Sequence, residues 1–159
     1  MTIPSADPAN ATSMTGARSD PSIVNDLRER VPELIASHAL VGGLIAGPDG
    51  FVIAANLPSG VAAEPLAALG SALGRQLELV TEQLGGGTPD TAHFSSNDGT
   101  LFVGTTRVGF VLLLGDRNVN VAAVRKSLQE LLRALSDTWA DSPAAALKRS
   151  PSPLNPPRP

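Results

Sequence analysis

The stretch VAAEPLAALGSALGRQLELVTEQL, residues 61–84, decides how the chain folds. Read at helical spacing, Leu66, Leu69, Leu73, Leu77, Val80 and Leu84 make one continuous apolar stripe. Beside it, about a fifth of a turn away, runs a second stripe of small residues only: Ala63, Ala67, Gly70 and Gly74. Glu64, Arg75, Glu78 and Glu82 take the opposite side. Asn56, Pro58, Ser59 and Gly60 punctuate the start, and Gly85-Gly86-Gly87 ends the helix with residues that accept left-handed backbone. Two glycines inside a helix cost about 1 kcal/mol each relative to alanine, and close approach of another backbone is the usual compensation. The plain reading is that Gly70 and Gly74 let the helix settle closely on its own sheet; the other is that a further backbone approaches there.

Upstream, residues 1–18 are rich in Ser, Thr, Pro, Ala and Gly without periodicity and read as a disordered leader. Asp20-Pro21-Ser22 is a helix start, and Ile23, Val24, Leu27, Val31, Leu34 and Ile35 recur at helical spacing to Ser37. Pro32 falls inside that pattern and removes a backbone donor, so a kinked single helix is expected. Leu40–Ala46 and Phe51–Ala55 are short apolar runs separated by Gly47-Pro48-Asp49-Gly50, a strong hairpin signal.

Downstream of the long helix, Ala92 and Phe94 alternate against Thr91, His93 and Ser95, the pattern of a half-exposed edge strand. Asn97-Asp98-Gly99 turns the chain into Leu101-Phe102-Val103, and Arg107-Val108-Gly109 turns it again into the all-apolar Phe110–Leu114, a mid-sheet strand. Asp116-Arg117-Asn118 supplies capping side chains for a last helix, whose apolar face is Val121, Val124, Leu128, Leu131, Leu132, Leu135 and Trp139. Residues 142–159 hold six of the chain's 14 prolines and read as a disordered tail. The order helix-strand-strand-helix-strand-strand-strand-helix, with antiparallel strands, predicts one α+β domain over residues 19–141.

Chemistry is sparse. A net charge of −3 argues against a nucleic-acid footprint. Cysteine is absent and histidine occurs twice, which disfavours thiolate chemistry and His- or Cys-ligated metal. No signal pattern or run of about 20 apolar residues argues for the membrane, so a soluble cytoplasmic protein is expected. There is no Gly-x-Ser-x-Gly elbow, no Walker lysine and no Gly-x-Gly-x-x-Gly opening a helix. His93 and Asp98 adjoin, but an exposed edge histidine and a turn-forming aspartate are the plainer reading. His38 sits at a helix C-terminus, where a cation is favourable. The chain looks built to bind, with no catalytic residue, metal or cofactor expected.

Four segments together resemble the Roadblock family, named for a dynein light chain. Residues 41–54, from Val41-Gly42-Gly43 through the Asp49-Gly50 turn to Ala54, are similar to its first hairpin. The alanine-rich Glu64–Leu69 resembles its long second helix, Asp98–Val103 its second hairpin, and Asn118–Val121 with Val124-Arg125 the approach to its last helix. The resemblance spans Ile23 to Trp139; Pro32, the Gly85–Gly87 loop and both tails depart from it. It implies a profilin-like, five-stranded antiparallel sheet flanked by three helices, and a homodimer in which second helices and third strands meet. It also implies partnership with Ras-like small GTPases, as in bacterial gliding-motility regulators, or scaffolding in transport complexes. On that reading Ala63, Ala67, Gly70, Gly74, Thr91, His93 and Ser95 form the dimer interface. Glu64, Ala68, Arg75, Glu78 and Glu82 are then the GTPase-contact candidates, with Arg107 the alternative as an inserted arginine. The competing class is a small-molecule-sensing domain on the same kind of sheet, which would need a roomy pocket with a few polar groups.

Overall fold

The computed structural model describes residues 21–87 and 89–140. The leader and the proline-rich tail lie outside the described residues, as does the side chain of Trp139. The element order is α1 (Pro21–Ser37), β1 (Gly42–Ala46), β2 (Val52–Asn56), α2 (Ala63–Gln83), β3 (Thr91–Ser95), β4 (Gly99–Thr106), β5 (Gly109–Asp116) and α3 (Val121–Ala140). The strands form one sheet in the order β2-β1-β5-β4-β3, with every pair antiparallel. This is the α+β arrangement of five strands and three helices expected from the sequence.

α2 is the connection between the two edges of the sheet, β2 and β3. Its middle runs along β5, with Gly70 over Leu112 and Gly74 over Phe110. The helix ends in a Schellman arrangement: Gly85 N–H donates to the Glu82 carbonyl, Gly86 N–H donates to the Thr81 carbonyl, and Gly85 sits at φ +68°.

Side-chain alternation along β4 and β5 divides the core. Phe102, Val111 and Leu113 face one way and pack with Ile45 under α1 and α3. Ile23, Leu27, Val31, Leu34 and Ile35 of α1 and Val124, Leu128, Leu131, Leu132 and Leu135 of α3 complete this thick layer. Val103, Leu112, Leu44 and Ala46 face the other way, toward α2. α1 runs through Pro32 as one helix. The cap of α3 is Asn120, whose Oδ1 accepts from Ala123 N–H, while Asp116 instead accepts from Asn118 N–H in the preceding turn. His38 closes onto α3 through a 2.9 Å hydrogen bond between Nε2 and Ser127 Oγ. β4 runs through Thr106, well past the apolar Leu101–Val103, because β5 pairs with it to its end and β3 as far as Gly104.

Candidate partner interface

The seating of α2 on the sheet sets everything exposed above it. Its buried residues are Ala67, Gly70, Ser71 and Gly74. A Cβ at Gly70 would enter the Leu112 side chain, and one at Gly74 would enter the Phe110 ring. The small-residue stripe is therefore the face that lies on this subunit's own β5. The expectation that Ala67, Gly70 and Gly74 face a second subunit is corrected on that ground: their side of the helix is filled from within, and only Ala63 at the start is half-exposed. The Ser71 hydroxyl lies within hydrogen-bond distance of the Ala67 carbonyl (2.9 Å) and the Gly47 carbonyl (3.1 Å), tying the helix to the β1–β2 turn.

With the small stripe turned inward, the leucine stripe is displaced to one flank. Leu66, Leu73 and Leu77 are half-buried, while Leu69 is 54%, Val80 50% and Leu84 78% exposed. This flank adjoins sheet surface that α2 leaves uncovered. Phe94 of β3 pairs with Leu101 of β4, and Ala92 with the buried Val103, so Ala92 and Phe94 stand on the α2 side. Phe94 is 44% exposed. Leu69, Val80 and Leu84 of the helix and Phe94 of the edge strand are thus exposed apolar side chains on one face of the sheet. Thr91, His93 and Ser95 lie on the same edge strand but point to the other face, where His93 opposes Phe102 with ring centroids 6.2 Å apart. Ser95 Oγ is 3.1 Å from Thr100 Oγ1, and Gln129 Nε2 donates at 3.5 Å to Thr91 Oγ1.

The opposite flank of α2 carries Glu64, Ala68, Arg75, Glu78 and Glu82, all exposed except the half-buried Glu78. Among the described residues the three glutamates make no ion pair. Arg75 Nη1 donates at 2.8 Å to the Pro48 carbonyl. The hairpin beside it is tightly held: Gly50 N–H donates to the Gly47 carbonyl, Gly47 N–H to the Phe51 carbonyl, and Phe51 N–H to Asp49 Oδ1. On this fixed turn Phe51 is 74% exposed. Phe51 was missed by reading Asp49-Gly50 only as a turn former; an aromatic directly after such a turn, where β2 begins, was the available signal. Leu79, one helical turn beyond Arg75, is also exposed on this side.

Among the described residues no three His, Asp or Glu side chains gather to hold a metal. No described helix is long and apolar enough to cross a membrane. The arrangement offers contact surface: an apolar helix flank and an open strand edge on the same face of the sheet, and a mixed-charge flank next to a presented aromatic.

No family model matches the chain. Two uncharacterized proteins of Methanocaldococcus jannaschii each share 29% identity with it over 97 residues, 61% of this chain and 85% of theirs. Among solved structures, Myxococcus xanthus MglB superposes with a TM-score of 0.65 at 10% identity, over 76% of this chain and 94% of MglB. A Roadblock/LC7 domain from Streptomyces avermitilis gives 0.59 at 19% identity, over 69% of this chain and 93% of that one. The gliding protein MglB of Thermus thermophilus gives 0.59 at 16% identity, over 74% of this chain and 93% of that one. The chain is thus similar in fold to Roadblock/LC7 domains, MglB proteins among them.

Proposed function

We propose that the chain is a non-catalytic homodimeric regulator or scaffold that docks a Ras-like small GTPase. The observation that carries the dimer is the exposed apolar flank of α2 on the same sheet face as Phe94 of the open edge strand β3. Two-fold pairing of β3 with its copy covers Phe94 and brings the Leu69–Val80 flanks of two helices together. An isologous contact of this kind also closes an edge that otherwise invites open-ended pairing.

The GTPase reading rests on the Roadblock resemblance of the sequence and on what the dimer leaves outside. The flank of Glu64, Ala68, Arg75, Glu78 and Glu82 is then presented twice, each copy bordered by Phe51. Such a surface docks a partner and biases its switch loops without donating a catalytic group. Arg75 is held against the Pro48 carbonyl, which suits a fixed docking contact. An inserted arginine would be worth about 10³–10⁵ in hydrolysis rate, and Arg107, exposed in the β4–β5 turn, is the residue placed to test it.

Light scattering on the purified chain is expected to report twice the monomer mass. Single-turnover GTP hydrolysis with Ras-like GTPases from the source organism then separates the two routes. Docking predicts that Arg75→Glu or Phe51→Ala abolishes binding while Arg107→Ala is neutral. Loss of about a thousandfold in stimulation by Arg107→Ala, with binding intact, would overturn docking in favour of an inserted arginine.

A further inference from the structure

A groove of about 270 Å³ lies between α1 and the strands β1 and β2, on the sheet face away from α2. Its walls include Val31, Pro32 and Ile35 from α1 and Ala54 and Asn56 from β2, with Arg28 at one end. From Arg28 to Ile35 the helix advances about 10 Å, the extended length of about eight carbons.

Arg28 is what gives this groove a chemical preference. Its Nη2 donates at 3.1 Å to the Ile53 carbonyl, which holds the guanidinium at the groove. A guanidinium carries five N–H donors. Among the described residues no carboxylate pairs with Arg28; the ion pair present is Lys126–Glu130. Arg28 is exposed, and a tethered cation with spare donors at the mouth of an apolar trough complements a carboxylate on an apolar tail.

We infer that this groove is a binding site for a free medium-chain monocarboxylic acid, its carboxylate on Arg28 and its acyl chain along Val31, Ile35 and Ala54. The site is on the opposite face from the α2 flanks, and it stands or falls independently of the dimer and the GTPase.

The test titrates octanoate, octanol and octylammonium into the full chain and follows backbone amide shifts. Octanoate is expected to move Arg28, Ile35, Ala54 and Ala55 and to bind at least about tenfold more tightly than octanol. Arg28→Met keeps an apolar stem and should bring octanoate down to the octanol level with the melting temperature retained. Equal binding of octanol, or an unchanged affinity in Arg28→Met, would overturn the inference. So would shifts confined to Leu69, Val80 and Phe94, the pattern of a detergent-like chain on the partner face. If Arg28→Met does not fold, Ala54→Leu fills the groove without touching its charge; octanoate binding that survives that change overturns the site.

Discussion

Replacing Gly74 by alanine tests the seating of α2 through the sign of a single number. On an open helix surface Gly→Ala stabilises by up to about 1 kcal/mol, through helix propensity and a less free unfolded chain. At Gly74 the new methyl enters the Phe110 ring, which is buried in the central strand β5. Overpacking of this kind costs about 1–3 kcal/mol, and a buried aromatic ring in a central strand has little room to yield, so the upper part of that range applies. After the propensity gain the net loss is about 1–2 kcal/mol. For a domain of this size that lowers the melting temperature by roughly 3–10 °C. Gly70→Ala meets the branched end of Leu112, which can turn aside more easily than a ring, and should cost less. Thermal unfolding by circular dichroism at one fixed protein concentration reads both variants, because association makes melting concentration-dependent. Light scattering should show no change in mass for either. A melting temperature that rises in Gly74→Ala would refute the seating and return the small stripe to the outside of the subunit.

Leu69→Glu with Val80→Glu is expected to convert the dimer to monomer with the far-ultraviolet spectrum unchanged, since both side chains are half-exposed within the subunit; a dimer mass in that variant would rule out the leucine flank as the contact. Asn120→Ala removes the side-chain cap of α3 and should cost about 1 kcal/mol in urea unfolding, with no loss if Asn118 takes over. Deleting residues 1–18 and 142–159 together is expected to leave fold and dimer intact; a melting temperature lower by more than a few degrees would show that one of them packs on the body.

The order of helices and strands along the chain and most element boundaries were legible because each rests on a local signal, whereas the pairing of β1 with β5 is long-range and left no such trace. Asp49-Gly50 and Asp98-Gly99 mark turns, Phe110–Leu114 marks a strand buried on both faces, and the α3 stripe has one period throughout. The seating of α2 was not legible from its own period, because the helix has two adjacent stripes and either fits a sheet. What decides between them is volume on the facing surface. Phe110, Leu112 and Val103 already fill the α2 side of the sheet, so the helix supplies Ala67, Gly70, Ser71 and Gly74, and its leucines are pushed to the flank. The all-apolar β5 run contained that information, since a strand with bulky residues on both faces asks for small ones opposite at least one. Arg28 and Phe51 were invisible for another reason: each matters through a neighbour far along the chain or through exposure, and neither leaves a periodic trace.

The two edges of the sheet are treated in opposite ways, and the difference bears on how the chain associates. At the β2 edge Ile53 is an extra residue opposite β1, where the pairing shifts between Ile45 and Ala46, and Arg28 occupies its carbonyl. A bulge opposes further pairing, and so does an edge carbonyl already taken by a side chain from a neighbouring helix. The β3 edge has neither: it pairs with β4 in unbroken register from Thr91 to Ser95, and no lysine, arginine or acidic residue lies within it. Only one edge is thus open to a second chain. An assembly built by pairing that edge with its own copy closes after two subunits, because each end of the resulting double sheet is a blocked β2. The exposed leucines of α2 stand on the same sheet face as Phe94 of that open strand, so in the proposed dimer strand pairing and helix burial would reinforce one contact.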